Sequence, residues 1–213
     1  MKPISEMRAV KTTESNYIKP FSLMFKQGEK DIKWDLMDSH DSVFIIIYNR
    51  NRNTLVCVKQ FRPAVYYKSI PAFDRPAEGP IDTEKYPPTN GLTVEFCAGI
   101  VDKNKSLEEI AVDEVREECG YEIKVSDLQK IISCKSGLSI TGTTQTFFYT
   151  EVTDHMKVSD GGGVENEGED IEVVEYTIPQ IRDIVTQSDV LNGSTSFLFG
   201  LMWFLTNKIV LNM

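Results

Sequence analysis

The chain has 213 residues, 41% of them hydrophobic and 26% charged; this suits one globular domain, or one with a small accessory lobe, and is enough to bury a sizeable core. A formal net charge of −9 works against tracking along nucleic acid, where affinity comes mostly from Lys and Arg, but a small anionic substrate needs only a local positive site or a bound cation. The richest apolar run, Phe197 to Leu205, is too short to span a bilayer and residues 1–17 lack a secretory core, so no membrane partner and a cytosolic address are expected.

Residues 1–16 are polar and predicted to fray. Tyr17 to Trp34 mixes aromatic and apolar residues around a Gln27-Gly28 turn signal, which predicts a hairpin. The β-branched run Ser42 to Tyr48 and the run Thr54 to Gln60 predict two strands joined by the polar turn Asn49 to Asn53. Prolines at 71, 76, 80, 87 and 88 mark residues 71–90 as a loop or insertion. Thr93 to Cys97 reads as a short strand. Ser106 to Glu118 is the strongest helix: Ser106 with Glu109 makes a capping box, and Gly120 ends it. Leu128 to Cys134, Thr144 to Val152 and Ile171 to Thr177 read as strands, the last two separated by a glycine-rich acidic segment, Asp160 to Asp170, predicted to be a mobile loop. Helices are predicted at Ile178 to Gln187 and Ser194 to Thr206. The architecture expected is α/β, a mixed-sheet sandwich with a small N-terminal β lobe. Cys57, Cys97, Cys119 and Cys134 make no C-x-x-C pair, and His40 and His155 add no zinc spacing. The thiols read as small buried hydrophobes.

The helix carries the chemical signal. On a wheel of 3.6 residues per turn, Leu107, Ile110 and Ala111 define an inward face. Steps of three and four continue that face onto Glu114 and Glu118, where an amphipathic helix ordinarily places Leu or Ile. Glu117 flanks them, Val115 keeps apolar contact on the other flank, and Arg116 points away. Burying unpartnered carboxylates is costly, on the order of several kcal/mol each, and no basic partner lies within the helix. A hard divalent cation such as Mg²⁺ is the economical answer.

The stretch from Gly99 through Glu114-Val115-Arg116-Glu117-Glu118-Cys119-Gly120-Tyr121 resembles the Nudix box, G-x5-E-x7-R-E-U-x-E-E-x-G-U, where U is apolar. The resemblance implies a Nudix α/β/α sandwich and a loop–helix–loop that holds Mg²⁺ against a substrate diphosphate. Its metal ligands would be Glu114, Glu117, Glu118 and the carbonyl of Ala98. Two positions depart: the box's first Glu falls on Lys105 and its Arg on Asp113. In the family that Arg supports the metal-binding glutamates by ion pairing; Asp113 instead adds repulsion toward Glu117, and Lys105 offers partial compensation from the preceding loop.

Gln60-Phe61-Arg62 resembles the Q-[FY]-R element of the ADP-ribose and nucleotide-sugar pyrophosphatase branch, which makes Arg62 the expected phosphate contact; its planar fork suits phosphate oxygens. Gly99 joins it as a substrate-binding candidate. Glu167-Gly168-Glu169-Asp170-Ile171 resembles that branch's acidic loop, with Glu167 as the first candidate for general base and Glu169 the second, beside Glu118. The likeness runs from about Tyr17 to Leu205. It implies hydrolysis of a nucleoside diphosphate sugar, UDP-glucose favoured, in a homodimer built through N-terminal strands, with residues 1–40 as the dimer-forming segment and 41–213 as the hydrolase domain. Two alternatives stay open: an ADP-ribose pyrophosphatase, and a non-catalytic nucleotide-binding domain, for which Lys105 and Asp113 are the main support.

Overall fold

A computed structural model describes residues 1–12, 15, 18–164 and 168–209. In chain order the strands are β1 (Arg8–Ala9), β2 (Lys19–Gln27), β3 (Lys30–Asp38), β4 (Ser42–Asn49) and β5 (Thr54–Phe61), then helix α1 (Pro63–Ser69) and strand β6 (Gly79–Pro80). Strands β7 (Leu92–Glu95) and β8 (Cys97–Ile100) precede helix α2 (Leu107–Cys119). Strands β9 (Gln129–Lys135), β10 (Thr144–Val152) and β11 (Glu172–Thr177) follow, then helices α3 (Ile178–Thr186) and α4 (Thr195–Phe204).

The main sheet runs β11-β5-β4-β10-β9. It is mixed: β4 and β10 are parallel, in register from Ser42↔Gln145 to Asn49↔Val152, and the other pairings are antiparallel. β4 and β5 pair only near their turn, Ile47–Asn49 against Thr54–Val56. Beyond it they part, and the chain from Leu92 to Ile100 fills the wedge. β7 lies along Val58–Phe61 of β5, and β8 along Ser42–Ile45 of β4. The single strand expected at Thr93 to Cys97 is thus two strands broken at Phe96. β7 runs antiparallel to β5 with Leu92 beside Phe61 and Glu95 beside Val58, so Arg62 reaches Glu95 through its side chain, while Ala98 and Gly99 of β8 lie beside Phe44 and Val43 of β4.

Alternation along β4 separates the two layers of the core, as period-2 strand geometry requires. Val43, Ile45 and Ile47 face α2 with Ile110, Ala111, Val115 and Cys119. Ile46 faces the other way, with Leu55 and Phe96, onto Ile181 of α3 and Phe197, Leu201 and Phe204 of α4. Every helix of the sequence reading forms, and among the described residues α1 is a further α-helix. α1 starts at Pro63, which suits the first helical position because its missing N–H has no partner to lose there. Its seven residues are too few for a readable period. No helix among the described residues is long and apolar enough to cross a membrane.

The N-terminal segment departs from the expected fraying. Arg8–Ala9 pair with Gly79–Pro80, and the Ile81 N–H donates to the Met7 carbonyl at 2.8 Å. The hairpin β2–β3 stands apart as its own two-stranded sheet, turning at Gly28 with φ of 65°; Tyr17 lies outside the described residues. Three cysteines are buried as expected, but Cys134 is exposed, because it lies on β9, a sheet-edge strand that is exposed along nearly all its length.

Candidate active site

Helix α2 is built as its sequence dictates. The Ser106 hydroxyl accepts from the Glu109 N–H at 3.2 Å, and the Glu109 carboxylate accepts from the Ser106 N–H at 2.8 Å, satisfying two free donors of the first turn. Gly120 closes the helix in the left-handed region, φ 74°, where a Cβ would meet the Ser159 carbonyl oxygen at 2.1 Å. The helix packs on β8, β4 and β5. That docking turns Glu114 and Glu118 inward: they are 9% and 3% exposed, buried with Ile110, Ala111 and Val115. Glu117 is half-buried on the flank and Arg116 is exposed.

Gly99 touches the first of these carboxylates. A Cβ there would lie 2.4 Å from the Glu114 carboxyl carbon, so residue 99 must be glycine for Glu114 to occupy its place. Next to it, the Ala98 N–H donates to Glu118 Oε2 at 3.0 Å. That bond does not offset burial: desolvation, with the negative fields of Glu114 and Glu169, pushes the Glu118 carboxyl up to about 8. Glu118 therefore holds a proton at neutral pH unless positive charge comes to it.

The acidic segment is less free than its glycines suggested. The Gly162 N–H donates to the Glu118 carbonyl at 2.9 Å and the Gly163 N–H to the Glu117 carbonyl at 3.1 Å, so the loop satisfies C-terminal carbonyls of α2. Gly161, φ 74°, passes so near that a Cβ would sit 2.2 Å from the Glu118 carbonyl oxygen. The Ile171 N–H returns to the Gly162 carbonyl at 3.1 Å, and Glu169 Oε2 accepts from the Val164 N–H at 2.9 Å. Glu169 is thereby held over the end of the glutamate helix. Glu167 lies outside the described residues.

Arg62 is at the mouth of the site, where it caps α1. Its guanidinium is bidentate to Glu95, Nε to Oε1 at 2.8 Å and Nη2 to Oε2 at 2.7 Å, and Thr93 donates to the same Oε1 at 2.6 Å. Burial raises the Glu95 carboxyl's pKa, but Arg62 and Thr93 outweigh it and hold it below its ordinary value. Glu95 was not legible as a site residue, because its partner is 33 positions away in the chain. Arg62 and Glu169 both line an open cleft of about 820 Å³, within the range of small-molecule sites. Phe61, Pro88 and Leu92 form its apolar side, and residues Met1 to Ile4 lie along it. Asp170, also unassigned from sequence, holds that segment by accepting from the Lys2 N–H.

The structure thus brings Glu114, Glu118, Ala98, Gly99, Arg62 and Glu169 to one opening of the sheet, with Glu117 at its flank. No group of three His, Cys, Asp or Glu side chains among the described residues converges as a ready metal cage. The chain is 39% identical over 212 residues to the uridine diphosphate glucose pyrophosphatase NUDT14 of Bos taurus, across 96% of this chain and 95% of that protein. It belongs to the Nudix family. The Mus musculus protein of the same name is 37% identical over 206 residues, 92% of this chain and 91% of that one. The GDP-mannose pyrophosphatase of Citrobacter koseri is 29% identical over 170 residues, 79% and 76% of the two chains. No family model matches the chain. Among solved structures, an ADP compounds hydrolase superposes with a TM-score of 0.62 at 14% identity, covering 97% of each chain, so the likeness in fold extends over nearly the whole Nudix chain.

Proposed function

We propose that the chain is a Mg²⁺-dependent pyrophosphatase that hydrolyses the diphosphate of a nucleoside diphosphate sugar, UDP-glucose first, to a nucleoside monophosphate and a sugar 1-phosphate. The observation that carries this reading is the buried carboxylate face of α2, with Glu118 raised to about 8 by burial and by its acidic neighbours. A binding module has no use for such a face, whereas a divalent cation makes it stable. The relatives named above as uridine diphosphate glucose and GDP-mannose pyrophosphatases supply the substrate class.

The residues fit a Mg²⁺ ion in donor chemistry. Glu114, Glu117, Glu118 and the Ala98 carbonyl offer hard oxygens, and Gly99 leaves the space that Glu114 occupies. When bound, the ion supplies charge neutralisation for the diphosphate and for the water that attacks it. Arg62 binds phosphate oxygens, oriented by Glu95. The attacking water gives its proton to a carboxylate of the acidic loop, Glu167 or Glu169, as its oxygen bonds to phosphorus and the bridging P–O bond breaks. The cleft beyond Arg62 takes the organic part of the substrate, with Phe61 and Leu92 on its apolar side.

The hairpin supports the homodimer. Its register places Phe21 opposite Leu36, Leu23 opposite Trp34 and Phe25 opposite Ile32. Directly opposed residues share a face, so these apolar side chains form one stripe, and Phe21, Leu23, Phe25 and Trp34 are exposed. A second copy of the chain covers that stripe in this reading.

The test is release of nucleoside monophosphate from UDP-glucose, GDP-mannose and ADP-ribose, with Mg²⁺ and with chelator, for the wild type and for Glu167→Gln and Glu169→Gln. Metal-dependent cleavage, fastest on a nucleotide sugar and reduced in one of the two variants, is the expected result. Nucleotide binding without turnover would replace the enzyme with a sensor.

A further inference from the structure

The two positions that depart from the Nudix box touch each other. Lys105 Nζ lies 2.5 Å from Asp113 Oδ2. The box has a negative residue at the first position and a positive one at the second; this chain has Lys and then Asp. Either change alone would set like charges face to face, a glutamate at position 105 against Asp113 or Lys105 against an arginine at position 113. Both changes together restore attraction with the signs exchanged.

The placement gives the contact a use. Lys105 ends the loop that leaves Gly99 and precedes the Ser106 cap; Asp113 adjoins Glu114 and stands one helical turn before Glu117. The ion pair therefore ties the loop that follows β8 to the helix that carries Glu114. It also cancels the repulsion that an isolated Asp113 would exert on Glu117. The hydrogen bond to Asp113, with the fields of Asp113, Glu109 and Glu117, keeps the Lys105 ammonium firmly charged.

We infer that Lys105 and Asp113 form one polarity-reversed ion pair that occupies the two box positions and positions the glutamate face of α2 for its cation. The two departures are then one exchange rather than two losses, and they do not argue for an inactive domain. Restoring the family's arginine at position 113 by itself sets it against Lys105. The inference rests on the metal-binding reading of Glu114, Glu117 and Glu118.

The test is a charge-reversal cycle on the full chain: Lys105→Glu, Asp113→Arg and the double variant. Mn²⁺ binding to metal-stripped protein is followed by electron paramagnetic resonance, with thermal unfolding alongside. Both side chains are partly exposed, so each single reversal is expected to weaken Mn²⁺ binding by about three- to tenfold, and the double to return within about twofold of wild type. If the reversals do not fold, Lys105→Gln and Asp113→Asn read the same cycle with losses of about twofold. Single variants that bind as wild type, losses that multiply in the double, or changes confined to the melting temperature would each overturn the inference. Wild-type protein that binds no Mn²⁺ would instead overturn the metal reading beneath it.

Discussion

Glu118→Gln separates the charge of residue 118 from its shape. Glu118 is 3% exposed and titrates near 8 rather than at its ordinary 4.5, first because burial disfavours its charged form and then because Glu114 and Glu169 repel it. A carboxyl whose pKa is higher in the folded than in the unfolded state binds more protons when folded. Metal-free protein must therefore lose stability as pH rises from about 4.5 toward 8. A shift of that size corresponds to on the order of 5 kcal/mol across the window. The glutamine side chain keeps the volume and can still accept from the Ala98 N–H, but does not titrate. Urea unfolding at about pH 5 and about pH 8, in chelator, should show the wild type much less stable at the higher pH and the variant nearly level. At the higher pH, Mg²⁺ at about 100 times its dissociation constant should restore roughly 2.7 kcal/mol to the wild type and little to the variant, because only the wild type offers it a carboxylate there. Turnover should fall by at least about a hundredfold in the folded variant. An equal pH slope in the two proteins would refute the assigned protonation, and unchanged Mg²⁺-dependent turnover would refute the site.

Gly99→Ala should displace the Glu114 carboxyl, since the new Cβ arrives 2.4 Å from it; Mn²⁺ titration should show weakened binding, with urea unfolding changed by no more than about 1 kcal/mol. Glu95→Gln removes the anionic partner that orients Arg62, so steady-state kinetics should show KM for the nucleotide sugar raised by about tenfold with kcat less affected. Gly161→Ala forces a side chain into the left-handed region against the Glu118 carbonyl and should cost about 1–3 kcal/mol in chemical denaturation, with loss of activity because the loop bearing Glu169 is displaced.

How much of this was legible before folding follows from the range of each interaction. The capping box of Ser106 and Glu109, the stop at Gly120 and the inward turn of Glu114 and Glu118 depend on near neighbours along one helix, so periodicity alone placed them. Most strands of the sheet and the turn at Gly28 were readable for the same reason, since alternation and turn chemistry are local; the break at Phe96 that separates β7 from β8 was not, because two different partner strands impose it. Lys105 and Asp113 were readable as departures but not as partners, because a loop and a helix must meet before their charges do. Glu95 stayed hidden until β4 and β5 parted and let β7 lie beside Arg62. The acidic loop looked free in one dimension; docked, its Gly161 is where the chain passes under the end of α2 too closely for any side chain. The order of residues thus supplies the chemistry on offer, a set of glutamates on the buried face of a capped helix and an arginine at a strand end. Which of those groups share a space is settled by the packing of the chain, because burial, field and ion pairing act between atoms near in space however far apart they lie along the backbone.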